Sequence, residues 1–204
     1  MDIDSFVKQF PRLYHFGPIK NRDSVEKLEC ILSSDLLRAL ATHPQTNERR
    51  RGRHQIKSLL FDAELNDQDA LKYGHVKHQN SMTETEFVSL LDQFCYFWPG
   101  DDNGPIDMGR NFVGRYQQKD DSLFAIVVPT RDFLRANHTR RIALSNCNSG
   151  APRSNPNAVI YRGDDTFVPW KDYQGNVANV KEVAVLGYAK LPGSRFLNNL
   201  SWEA

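Results

Sequence analysis

The chain has 204 residues, 26 Lys and Arg against 25 Asp and Glu, and a formal charge of +1. That length suffices for one domain whose core closes a pocket without help from metals or disulfides, and the charge balance gives no global field for nucleic acid or a membrane surface. Three cysteines, Cys30, Cys95 and Cys147, are odd in number and lack a CxxC pair, which argues against a secreted disulfide scaffold and for free thiols.

Two acids, Asp2 and Asp4, stand where a signal peptide carries base, and no apolar run approaches the roughly 18 residues that span a bilayer. A soluble, cytoplasmic chain folded as a single domain over 1–204 is expected, with no membrane and no internal repeat. In chain order, Leu13-Tyr14-His15-Phe16 reads as a strand ended by Gly17-Pro18. Asp23 or Ser24 is positioned to cap a helix whose apolar residues Val25, Leu28, Ile31, Leu32, Leu36 and Leu40 recur at helical spacing. Arg49-Arg50-Arg51-Gly52-Arg53 then reads as a loop or helix end. Thr83 with Glu86 three residues on is a capping box before Phe87, Leu90, Leu91 and Phe94. Cys95-Tyr96-Phe97-Trp98 follows as a strand stopped by Pro99-Gly100, and Asp107 to Tyr116 as a helix. Leu123 to Val128 is a buried strand, Thr130 is expected to cap a short helix, and Arg141 to Ser145 is a further strand. Asn146 to Asn157 reads as loop, Val180 to Leu186 as the last strong strand, and the tail from Pro192 shows no period. Helices weighted early and strands late favour α+β.

No HExxH, Walker A loop, GxGxxG after a strand or GxSxG elbow occurs, and His75 and His78 lack placed co-ligands, so no metal is expected. Polar residues in apolar strand settings remain, where burial is costly unless the group is paired or useful. His15 sits among aromatics. Glu182 shares a strand face with Val180 and Ala184. From spacing alone, a core histidine bonded to backbone and an exposed edge-strand charge are the favoured readings.

The opening Leu13-Tyr14-His15-Phe16, a short turn, and a helix running through Ser24-Val25 to Cys30-Ile31-Leu32-Ser33-Ser34-Asp35-Leu36-Leu37 resembles the "LYHFT…NLPSIL…GLLS" opening of DarT-type ADP-ribosyltransferases, with Gly17 in place of the usual Thr. Most of the chain also resembles a bacterial family of unknown function. The shared features are Asp67-Gln68, Tyr96-Phe97-Trp98-Pro99, Asn148-Ser149-Gly150-Ala151-Pro152 and Thr166-Phe167.

The transferase resemblance implies split mixed or antiparallel sheets with flanking helices, and NAD as substrate. It implies that His15, beside Phe16, contacts the adenosine ribose, that Tyr96, Phe97 or Tyr116 stacks on nicotinamide, and that Glu182 stabilises the oxocarbenium-like state as the glycosidic bond breaks. A pyrophosphate-holding arginine is expected at Arg141 or Arg153, with Arg110 and Arg115 as alternatives. Ser149, in the Asn146 to Gly150 stretch, is expected to line the nucleotide pocket. Cys147 reads as an inert thiol, and Asp67-Gln68 as a cap or buried hydrogen-bond pair. Arg49, Arg50, Arg51 and Arg53 are either a nucleic-acid acceptor patch or a solvated face. The acceptor is then nucleic acid or protein. Alternatives are a non-catalytic nucleotide- or RNA-binding or interaction module, with an antitoxin as partner, or an NAD glycohydrolase.

Overall fold

A computed structural model describes residues 1–43, 49–58, 61–68, 71, 82–118, 122–150, 162–198 and 200. Short helices and strands alternate through them: α1 (Ile3–Gln9), β1 (Arg12–Pro18), α2 (Arg22–Leu28), β2 (Cys30–Leu32), α3 (Ser34–Ala39), β3 (His54–Ile56), β4 (Ala63–Leu65), α4 (Glu84–Asp92), β5 (Phe94–Asp101), β6 (Gly104–Pro105) and α5 (Asp107–Gln117). The second half adds β7 (Leu123–Pro129), α6 (Thr130–Asn137), β8 (Ile142–Ser145), β9 (Val168–Pro169), β10 (Glu182–Leu186), β11 (Tyr188–Lys190) and β12 (Arg195–Leu197). The fold is mixed α+β, and among the described residues every strand pairing is antiparallel.

The main sheet runs β12-β7-β1-β5-β10-β8-β9, with β6 against the end of β5. Strand alternation divides its side chains between two faces. Leu13, Cys95, Phe97, Val183 and Val185 enter one core with Phe6, Phe133 and Trp170. Tyr14, Phe16, Trp98 and Val127 pack with Val113 and Tyr116 of α5, and Ala184 with Phe87, Val88 and Leu91 of α4. Both faces are therefore covered, which is why β7 reads as an unbroken apolar run.

The sheet is split along β5. That strand pairs with β1 only where Gly100–Trp98 lies opposite Arg12–Tyr14, and with β10 where Phe94–Phe97 lies opposite Leu186–Val183. Beyond Tyr14 the ladder between β1 and β5 lapses, leaving a gap between the two halves.

Four local readings are corrected. The single helix expected through Leu40 is broken: Glu29 turns left-handed at φ 51°, Cys30–Leu32 pairs with β11, and Ser33 caps a new helix by accepting from the Leu36 N–H. Period alone did not separate Ile31 and Leu32 from a helix because the break lies in backbone chirality and a distant strand. The cap of α2 is Asn21, without a side-chain bond, rather than Asp23 or Ser24. Thr130 is the first residue of α6 rather than its cap, with Pro129 preceding it. Val180 lies outside the last strand and packs in the core opposite to that of Ala184. The capping box of α4 stands as read: the Glu86 N–H donates to Thr83 Oγ1 (3.2 Å) and the Thr83 N–H to Glu86 Oε2 (2.6 Å). Among the described residues no helix is long and apolar enough to cross a membrane.

Candidate active site

A cavity of about 420 Å³ opens at the split in the sheet, walled by β1, the α2–β2 segment, β4 and the residues flanking it, β5, α5 and residues 148–150. That volume suits a nucleotide-sized ligand. His15, Phe16, Tyr96, Ser149 and Glu182 all line it. The residues come from β1, β5, β10 and the turn after β8, so the topology brings together positions far apart in sequence.

Glu182 opens β10 opposite Ser145 and is 2% exposed. Its Oε2 accepts the Ser149 N–H at 3.0 Å, and the Ser149 hydroxyl also bonds the carboxylate. Burial pushes its pKa up to about 7, against the opposing pull of the two Ser149 bonds and the Arg162 charge. The carboxyl therefore exchanges its proton close to neutrality, in a site partly closed to water.

The 146–150 turn that carries Ser149 is pinned at each step. Tyr173 donates to the Asn146 side chain, the Cys147 N–H donates to Ser145 Oγ at 3.3 Å, and Arg162 donates to the Asn148 carbonyl from Nε (3.1 Å) and Nη2 (2.8 Å). The stretch that reads as loop from its polar composition is anchored by side chains elsewhere in the chain, which local composition does not reveal. Arg162 is 2% exposed and was not singled out from sequence. An arginine two residues before Asp164-Asp165 reads as surface, and only the fold buries it. Burial also raises the Cys147 pKa, which fits an inert thiol.

His15 Nδ1 lies 2.8 Å from the Tyr96 carbonyl and bridges the gap where the β1–β5 ladder lapses. A carbonyl only accepts, so the proton sits on Nδ1, and Nε2 keeps its lone pair. Burial lowers the His15 pKa to about 4, partly offset by that bond, so the ring is neutral at physiological pH. Gly17 keeps the adjacent space open. A Cβ there would meet Phe124 at 2.8 Å and stand 3.7 Å from His15 Nε2.

Of the aromatic candidates, Tyr96 lines the cavity and donates its hydroxyl to the Leu91 carbonyl (2.7 Å). Burial, then the charges of Glu182 and Asp92, raises its pKa well above the ordinary value, so it stays a phenol. Phe97 and Tyr116 are fully buried and do not line the cavity. Phe97 faces the opposite core, and Tyr116 sits beneath Arg115 and Arg53. The arginine expectations also shift. Arg141 stacks on Tyr188 (4.1 Å) and donates to the Leu186 and Tyr188 carbonyls away from the cavity. Arg153, with His75 and His78, lies outside the described residues. Arg50 and Arg115 line the cavity instead.

The basic block is neither a free patch nor simply solvated. Arg49 pairs with Glu84 (3.5 Å), Arg50 with Asp92 (2.9 Å) and Arg53 with Glu64 (2.7 Å), while Arg51 is exposed. Asp92, 2% exposed, also accepts from Arg38 (2.8 Å) and Gln68 (3.2 Å). Gln68 accepts the Arg50 N–H at 3.1 Å, so of the Asp67-Gln68 pair Gln68 forms a partly buried link between Arg50 and Asp92. Burial raises the Glu64 pKa, but bonds from Arg53, Lys20 and Gln55 outweigh it and hold the carboxyl below its ordinary value. Among the described residues no group of three or more His, Cys, Asp or Glu is arranged to hold a metal.

Residues 11–190 match the model of the Family of unknown function (DUF7002), and the chain belongs to that family. No curated protein and no solved structure matches it significantly.

Proposed function

We propose that this member of the DUF7002 family cleaves the nicotinamide–ribose bond of NAD and transfers ADP-ribose to a macromolecular acceptor. The observation that carries the reading is that His15, Tyr96 and Glu182, from β1, β5 and β10, line one cavity at the split in the sheet. The resemblance of the Leu13–Phe16 opening to DarT-type transferases supports the same assignment, as do the antiparallel sheet halves.

In this reading the neutral His15 accepts a ribose hydroxyl at Nε2, which its Nδ1 bond to Tyr96 leaves available. Tyr96 offers the aromatic face for nicotinamide, and Arg115 and Arg50 supply the cations for pyrophosphate. The C1′–N bond breaks with its electron pair leaving on nicotinamide. The ionised Glu182 carboxylate, fixed by two bonds from Ser149, stabilises the developing positive charge. The acceptor's O–H or N–H then bonds C1′ and gives its proton to Glu182 or solvent. The pairing of Arg49, Arg50 and Arg53 with acids means that an acceptor bound there must displace Glu84, Asp92 or Glu64.

The test is incubation with NAD labelled in its adenylate half, with and without cell extract. Label in protein or nucleic acid together with free nicotinamide supports transfer. Stoichiometric free ADP-ribose identifies a glycohydrolase, and neither product in any condition overturns the reading in favour of a binding module.

A further inference from the structure

Resting on the reading of Glu182 as the stabilising carboxylate, we infer that Arg162 is a positioning residue that holds the Asn148–Ser149 turn against Glu182 and keeps that carboxylate ionised. Two N–H groups of one buried guanidinium converge on a single backbone carbonyl, that of Asn148. A fork on one oxygen fixes the peptide plane far better than a single flexible donor does. The following residue, Ser149, then has both its N–H and its hydroxyl directed at the carboxylate. Arg162 thus acts on Glu182 twice, through the turn it orients and through its charge.

The groups facing the carboxylate make the arginine's role specific. Tyr96 on β5 and Cys147 after β8 are both kept protonated by burial and supply no charge at neutral pH. His15, lining the same cavity from β1, is neutral there too. Arg162 is the cation acting on Glu182 among the described residues. Removing it takes away the attraction and loosens the two Ser149 bonds, and all three losses favour the protonated carboxyl.

The experiment follows the Glu182 carboxyl directly, by ¹³C NMR titration of the intact protein, beside the pH profile of nicotinamide release. In Arg162→Gln the titration midpoint is expected to rise by about one pH unit, which lowers kcat on the acid limb about tenfold while leaving KM for NAD within about twofold. Arg162→Lys keeps a charge but not the fork, and a rise of about half a unit is expected; it carries the test if the Gln variant does not fold. A midpoint unmoved in either folded variant, or activity reduced by one factor at every pH, overturns the inference. Because the NMR midpoint needs no turnover, a midpoint that moves in a protein that releases no nicotinamide upholds the role of Arg162 and rejects the transferase reading instead.

Discussion

Burial raises the pKa of Glu182 and lowers that of His15, and each shift leaves a signature in stability. Glu182 titrates at 4.5 in the unfolded chain and at about 7 when folded. Between those values the folded chain binds more protons, so stability falls as pH rises through the window, and the whole penalty is present above it. Glu182→Gln carries no charge at any pH. It is expected to melt about 5 °C above wild type near pH 8 and to lose that advantage below pH 4.5; equal melting at both ends contradicts a strained carboxylate. His15 has the opposite sense. Its pKa falls from 6.5 to about 4 on folding, so the unfolded chain binds more protons and stability is lost as pH falls through that range. His15→Asn can still donate to the Tyr96 carbonyl yet cannot titrate, so its urea midpoint should change less between those pH values than that of wild type. Parallel pH dependences would show that another group is responsible.

At the scale of elements, the β3–β4 hairpin and the residues before it are fastened to α3 and α4 by charges rather than by apolar packing alone. Asp92 ends α4 and gathers Arg38, Arg50 and Gln68 around a nearly inaccessible carboxylate. Asp92→Asn leaves two guanidiniums without their counter-charge, and a loss of about 3–5 kcal/mol is expected in urea unfolding. A loss below about 1 kcal/mol would mean that water already screens the network. Local signals made several elements readable: the Thr83–Glu86 box, the Leu123–Val128 run and the Phe87, Leu91 stripe each encode their structure within a few residues. The strands β2 and β11 were not readable, since each is three residues long and exists because the other lies beside it. Nor was the fate of the basic block, in which Arg49, Arg50 and Arg53 find their acids 11 to 42 positions away.

For the molecule as a whole, the cavity exists because β5 changes partners, pairing with β1 at one end and β10 at the other. His15 and Glu182 were legible as polar residues in apolar strands, and Ser149 as a small residue in a polar loop. What sequence could not supply was who supports them. Arg162 and Tyr173 hold the turn from 14 and 27 positions further along the chain than the residues they bond, and Arg141, an anion-ligand candidate by position, donates to the Leu186 and Tyr188 carbonyls. The central claim is that the Glu182 carboxylate in this cavity drives cleavage of the NAD glycosidic bond. It is tested most directly by nicotinamide release from NAD across the pH range around neutrality, wild type against Glu182→Gln. The account expects release that climbs through about pH 7 and falls at least about a hundredfold in a variant no less stable than wild type. Release that persists in the variant, or none from wild type at any pH, would contradict it.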